Sequence, residues 1–375
     1  MRYGFTTGSC ATAAASAAAS YLLLNIKKEK INIETPKGIM YCAEIFDLKK
    51  ENNAASCAVK KDGGDDPDVT SGLLIYSRVE IKETWNEPFG KTEIVIEGGE
   101  GVGKVTKPGL DQPVGNAAIN HVPREMITKE VLNVCEKADF HGVICVTVSV
   151  PSGEEVAEKT FNPRLGIVGG ISIIGTSGIV EPMSTKALLD TIKVELNQRK
   201  ELGYSYVAVA PGNYGRDYMK NTYGYDIDRS VKCSNFIGDT IDMAAGLSFE
   251  SMLITGHIGK LIKVAGGIMN THSREGDCRM ELMSAAAVKC GVDLETVKKI
   301  LECVATEEGV RLLKNVGKDN QVMEYLMERI MFYLNKRADG RIRVECLMYS
   351  NEFGELAKSN DADEWLVLLA QEQAQ

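Results

Sequence analysis

Thr6-Thr7-Gly8-Ser9-Cys10 stands between an aromatic lead-in, Tyr3-Gly4-Phe5, and a run built almost wholly of Ala and Ser. At the head of a helix such a turn sets hydroxyls beside the first four amides, which have no partner inside the helix. The positive end of the helix dipole favours an anion there, so the chemistry is binding of a carboxylate or phosphate. The same residues also read as a plain cap on a helix whose alanine face packs closely on a sheet.

A second stretch, Gly98-Gly99-Glu100-Gly101-Val102-Gly103-Lys104, nearly spells a phosphate loop. G-x-x-x-x-G-K must be followed by Ser or Thr, whose hydroxyl holds magnesium. Val105 stands there instead, and Pro108 spoils the helix that should follow. Both departures argue against a phosphate loop, and a small-molecule kinase built on it stands only as a rival reading. The loop also suits a ligand carboxylate, held by backbone amides with Lys104 and Lys107, and Arg124 adds a further cation. Its bland reading is a glycine-rich hairpin with two solvated lysines.

Three further loops carry small and polar residues. Gly175-Thr176-Ser177-Gly178 follows an apolar run, and Glu181 comes just after it. Glycine permits close approach, the hydroxyls donate and accept, and an acid can take ribose hydroxyls, so this is a candidate nucleoside cradle. Pro211-Gly212-Asn213-Tyr214-Gly215 is a loop of the same kind. Asn213 suits an adenine edge or a carboxylate, and Tyr214 can stack on a flat ring. Ser234-Asn235 opens another helix, with Asp239 inside its first turn. Of only four histidines, His257 lies in Gly256-His257-Ile258-Gly259-Lys260, and it or Asp239 is a candidate base. The histidines are too few and dispersed to signal a metal site, so none is expected. Neither a G-x-S-x-G nucleophile turn nor a G-x-G-x-x-G dinucleotide pattern accompanies these loops.

The elements that must hold these loops change character along the chain. The first part reads as mixed α+β: an Ala-rich helix, alternating strands from Ile31 to Glu97, a helix near Pro123 to Lys137 and an apolar strand at Gly142 to Val150. From about Gly166 the rhythm becomes strand, Gly-rich loop, helix, repeated. That rhythm predicts a largely parallel sheet with crossover helices. Ligands bind outside the carboxyl ends of such strands, where the Gly-rich loops Gly175–Glu181, Pro211–Gly215 and Gly256–Gly259 are expected. The predicted fold is therefore α/β in two domains, 1–164 mixed α+β and 165–375 α/β.

Composition narrows the function classes. A chain of 375 residues is long for one core, and 44% hydrophobic with 25% charged residues is ordinary for a globular protein. Ten scattered cysteines without a C-x-x-C pair fit a reducing cytoplasm. No apolar run is long enough to span a membrane. A formal charge of −9 argues against broad nucleic-acid binding. An anionic ligand would need local cations rather than a long-range field.

The motifs also form an ordered set. Arg2-Tyr3-Gly4-Phe5-Thr6-Thr7-Gly8-Ser9-Cys10-Ala11-Thr12-Ala13-Ala14 is similar to the R-x-G-[YF]-T-T-G-[ST]-C-A-x-A-A opening of the cobalt-precorrin-5B C1-methyltransferase family. The Gly98–Leu110 stretch follows, then Asn116-Ala117-Ala118-Ile119-Asn120-His121-Val122-Pro123-Arg124 and the Leu165–Ser184 stretch. Pro211–Gly215, Ser234–Gly238 and Gly256–Lys260 complete the series in the family's order. Beyond about Glu281 no motif of the family stands out.

The resemblance implies methylation of C1 of cobalt-precorrin-5B by S-adenosylmethionine, giving cobalt-precorrin-6A in anaerobic cobalamin biosynthesis. It implies a cobalt-corrinoid substrate rich in acetate and propionate carboxylates. On this reading Gly175, Thr176, Ser177, Gly178, Glu181, Gly212, Asn213, Tyr214 and Asn235 hold the cofactor. Thr6, Thr7, Gly8, Ser9, Cys10, Lys104, Lys107 and Arg124 hold macrocycle carboxylates. No E-x-G-x-G cofactor motif is present, so these assignments rest on loop placement. A non-catalytic tetrapyrrole carrier is the other rival, and homo-oligomerisation is left open.

Overall fold

The computed structural model describes residues 2–85, 92–182, 184–212 and 216–374. The chain folds as two compact units, Met1–Ser184 and Thr185–Gln375.

In the first unit, Thr6 caps the helix Thr7–Leu24 by accepting a hydrogen bond from the Ser9 amide, and Asn25 closes it in the left-handed region. Its small residues let the sheet come close: Ser77 Oγ donates to the Ala11 carbonyl at 2.8 Å, and Cys57 Sγ to the Ala14 carbonyl at 3.1 Å. The sheet has six strands in the order Lys30–Glu34, Met40–Lys50, Ala54–Lys60, Leu74–Thr84, Gly142–Ser149, Glu93–Gly98. Neighbours run antiparallel except the last pair, which is parallel. The alanine helix and the helix His121–Lys137 share one core with it, built on residues such as Ala14, Ile75, Ile127 and Val146.

The segment 165–184, which the sequence assigns to the second domain, folds with the first. Only Ile167–Val168 forms a strand from the apolar run, and it pairs antiparallel with Lys104–Val105. Isolated bridges tie Ile171 to Val102 and Ile173 to Ile119, and Ile179–Val180 pairs with Gly4–Phe5. An apolar run bounded by glycines fits a buried strand in either place, and periodicity alone does not choose its partner.

The second unit carries the expected largely parallel sheet, in the order Val231–Lys232, Tyr206–Ala210, Ser251–His257, Arg343–Ser350, Gly354–Lys358. All pairs are parallel except the last. One face, with Val209 and Ile254, packs on the helices Thr185–Glu201, Ile237–Gly246, Ile258–Val264 and Asp319–Ala338. The other, with Ala208 and Leu253, packs on Arg216–Tyr223 and Ala362–Ala374. No helix among the described residues is long and apolar enough to cross a membrane.

Candidate functional site

The Thr6–Cys10 turn is buried and turned inward. The Gly8 amide donates to the Ile174 carbonyl at 3.0 Å, and Cys10 to the Thr6 carbonyl. Thr7 Oγ1 lies 3.3 Å from the Ser172 and Ile174 carbonyls and accepts from the Ile174 amide at 2.9 Å. Ser9 Oγ donates to the Gly178 carbonyl at 2.6 Å. These amides and hydroxyls are engaged within the chain, which weighs against the expected carboxylate site here. Burial also pushes the Cys10 thiol up to about 11, so it is no nucleophile at neutral pH.

Gly175, Thr176, Ser177 and Gly178 form the other half of this clasp. A Cβ at Gly175 would lie 2.2 Å from Thr6 Oγ1, and one at Gly178 2.7 Å from Thr35 Cβ. The close approach that glycine permits is therefore of chain to chain, not of nucleoside to chain. Thr176 is exposed, Ser177 Oγ donates to the Ile179 carbonyl, and Glu181 is ion-paired with Lys37. All belong to the first unit, whose sheet is mainly antiparallel, so the strand-end argument of the parallel sheet does not support a nucleoside cradle here.

The glycine-rich loop is also locked by its own chain. The Gly99 amide donates to Val148, Val102 to Gly99 and Gly103 to Ile171, while the Gly101 carbonyl accepts from Ile171. A Cβ at Gly101 would stand 1.7 Å from the Val150 carbonyl oxygen. With three of its amides taken by carbonyls, the loop does not offer the amide nest a triphosphate needs. That observation weighs against the kinase. Lys104 is exposed and makes no side-chain hydrogen bond or ion pair among the described residues. Lys107 instead donates to the Arg164 carbonyl at 3.1 Å. Arg124 donates through Nε to Ile119 at 2.8 Å and through Nη1 to Ile96 at 2.9 Å. Its half-burial lowers its pKa and makes it a clamp on two backbone segments. This unit also has an open cleft of about 470 Å³ whose lining includes Phe5, Tyr41, Phe46 and Lys60.

The second unit supplies a different arrangement. Strands Tyr206–Ala210 and Ser251–His257 are adjacent and parallel. The helix after the first, Arg216–Tyr223, packs on one face of the sheet, and the helix after the second, Ile258–Val264, on the other. The chain thus departs in opposite directions from the carboxyl ends of neighbouring strands. That switch in direction opens the crevice where ligands of open α/β sheets bind.

Pro211 and Gly212 leave the first strand here, and Ser234 and Asn235 follow the neighbouring strand Val231–Lys232. Asn213 and Tyr214 lie outside the described residues. Asn235 is engaged internally: its carbonyl accepts from the Thr271 amide at 2.9 Å, and Oδ1 lies 3.4 Å from Thr271 Oγ1. Lys260 reaches back from its helix to bond the Pro211 carbonyl at 2.5 Å and the Ser234 carbonyl at 3.1 Å, joining the two loops.

His257 ends the second strand and caps the next helix. Its Nδ1 accepts from the Gly259 amide at 3.1 Å, and Nε2 lies 2.8 Å from Glu307 Oε1. An accepting Nδ1 places the ring proton on Nε2, which faces Glu307 at ion-pair distance. Burial lowers the His257 pKa, opposed by Glu307. With Nδ1 taken by the helix cap and Nε2 against Glu307, the geometry favours a positioning role for His257 over the expected base. Asp239 is partly exposed in the first turn of Ile237–Gly246, without a side-chain partner among the described residues.

Sequence reasoning missed Glu307 and the role of Lys260. Lys260 stood inside a motif already singled out for its histidine. Glu307 sits fifty positions from His257 with no local signal, and only the fold joins them. No group of three or more His, Cys, Asp or Glu among the described residues is placed to hold a metal ion.

The fold is α/β in two units, and the second has a sheet switch point, the place where ligands of such sheets bind. Comparison with known proteins makes the class specific. The CbiD family model matches residues 1–182, and the model of the CbiD C-terminal domain matches 270–360. A cobalt-precorrin-5B C(1)-methyltransferase of Ruminiclostridium cellulolyticum is 48% identical, covering 94% of this chain and 89% of the relative. Those of Alkaliphilus metalliredigens and Methanocaldococcus jannaschii are 45% and 41% identical, covering 99% and 92% of this chain and 96% and 93% of their own lengths. The solved cobalamin biosynthesis protein of Archaeoglobus fulgidus is 30% identical over 73% of this chain and 84% of its own, with a TM-score of 0.39. The chain belongs to the CbiD family of cobalt-precorrin-5B C(1)-methyltransferases, enzymes of cobalamin biosynthesis.

Proposed function

We propose that this chain transfers a methyl group from S-adenosylmethionine to C1 of cobalt-precorrin-5B, giving cobalt-precorrin-6A. Family membership supports the reaction, and one observation supports the cofactor's place: the switch-point crevice between Tyr206–Ala210 and Ser251–His257. Gly212, Ser234, His257 and Lys260 stand at its strand ends, and Asp239 follows in the next helix.

The residues present suit such a group. The Pro211 and Ser234 carbonyls, joined by Lys260, hold two loops in fixed relation, as an adenosyl ligand spanning adjacent strands requires. The cofactor supplies an activated methyl on a sulfonium. The protein's part is alignment of donor and ring carbon, and exclusion of water that would favour the charged starting state. No protein base is assigned: His257 is engaged at both nitrogens, and the conjugated ring can accommodate the charge change itself. On the substrate side, Lys104 and the aromatic-walled cleft are the candidate contacts for carboxylate arms and a flat ring face.

Thermal unfolding with S-adenosylmethionine, S-adenosylhomocysteine and ATP–magnesium tests this reading. A ligand at a hundred times its Kd adds about 2.7 kcal/mol. Stabilisation by the adenosyl ligands alone supports it, and ATP alone would revive the kinase. Methyl transfer to the corrinoid, followed with labelled donor, separates enzyme from carrier.

A further inference from the structure

The charges around Lys260 do not balance. Its ammonium has three N–H donors. Two go to the carbonyls of Pro211 and Ser234, and no carboxylate among the described residues lies within ion-pair distance. Lys263, one turn along the same helix and buried, donates to the Thr271 carbonyl at 3.2 Å. Its nearest carboxylate, Asp277, is 4.0 Å away and already held by Arg279 at 2.6 and 2.8 Å. Glu307 acts on Arg279 only at longer range and is bonded to His257. Among the described residues Lys260 thus meets two neutral carbonyls and a second cation, Lys263, but no carboxylate, in a chain of net charge −9.

Lys260 is half-buried, and withdrawing a cation even partly from water is costly unless an opposite charge meets it. Two neutral carbonyls orient the Lys260 ammonium without cancelling it. A second polar group at this end of the sheet is also unsatisfied. Thr255 Oγ1, buried two residues before His257 on the same face of the strand, has no hydrogen-bond partner among the described residues.

We propose that Lys260 is the anchor for a ligand carboxylate at this crevice. One carboxylate would supply the missing counter-charge and take the third N–H donor of the ammonium. The inference rests on the crevice being the cofactor site, and there the carboxylate is that of the donor's methionine portion. An acetate or propionate arm of the macrocycle offers the same chemistry, and the experiment distinguishes them.

Binding of S-adenosylhomocysteine and its decarboxylated analogue is measured by calorimetry on the wild type, Lys260→Met and Lys260→Gln. Gln keeps donors for the loop carbonyls but carries no charge, so it guards against a Met variant that fails to fold. A charged hydrogen bond corresponds to about ten- to hundredfold in affinity. The wild type is expected to favour the carboxylated ligand by that factor, and both variants to lose the preference with unfolding temperatures near wild type. If the preference survives in the variants but corrinoid affinity falls, the carboxylate comes from the macrocycle. Folded variants that bind adenosyl ligands and corrinoid as the wild type does would overturn the proposal. A wild type that binds no adenosyl ligand sinks the cofactor-site reading instead, while corrinoid binding still reports on Lys260.

Discussion

Glu307 Oε1 meets His257 Nε2 at 2.8 Å and so ties the helix Thr306–Asn315 to the carboxyl end of the sheet strand Ser251–His257. The bond sets the ring so that Nδ1 caps the next helix at Gly259. One imidazole thereby fixes three elements beside the crevice.

This pair gives stability a pH dependence of known sign. Burial holds the folded His257 pKa below its ordinary 6.5. As pH falls from above 6.5 towards the folded value, the unfolded chain binds a proton that the folded chain refuses, so stability falls. His121, raised by Asp111, runs the other way: its contribution is full below 6.5 and is lost as pH rises through its folded value. Urea midpoints at pH 7.5 and 5.5 should show a smaller acid-side loss in His257→Asn than in wild type. An unchanged loss would mean that the imidazole is not held neutral.

Gly101 tests the chain-crossing account of the glycine-rich loop. Ala there meets both a positive φ of 69° and the Val150 carbonyl at 1.7 Å. Strain and overpacking together should cost about 2–5 kcal/mol. Gly115→Ala, with φ 92° but nothing within 4 Å, should cost only about 1–2 kcal/mol. Equal losses in chemical denaturation would remove the crossing from the explanation.

Arg124 should matter to folding rather than to ligand affinity. Arg124→Ala leaves the Ile96 and Ile119 carbonyls without their charged donor, at a cost of about 2–3 kcal/mol. Lys at this position carries its donors on one nitrogen in place of the separated Nε and Nη1, so it should hold the two carbonyls less well. Full stability in Arg124→Lys would contradict the clamp.

Lys104 should behave in the opposite manner. It is exposed and makes no side-chain bond among the described residues. Lys104→Ala should change stability by less than about 0.5 kcal/mol. If this lysine meets a macrocycle carboxylate, corrinoid affinity falls several-fold and its salt dependence weakens. Unaltered affinity moves the substrate's contacts elsewhere.

The sequence by itself determined the elements and their class. Thr6 as a cap, the Ala-rich helix, the alternating strands and the strand–loop–helix rhythm after Tyr206 all follow from local periodicity and turn chemistry. The family was legible too, because its motifs are contiguous. Tertiary structure decided what each motif is for. The glycines at 101, 103, 175 and 178 serve close passage of chain segments distant in sequence, and a local reading cannot tell a neighbouring backbone from a ligand. The run 167–174 joined the first unit because pairing partners are chosen by long-range contacts. The switch point arose from two neighbouring strands whose helices leave to opposite faces, and the bridge between its loops from Lys260 meeting the Pro211 and Ser234 carbonyls. Electrostatic pairing acts through space over a few ångströms, and no spacing rule along the chain encodes it.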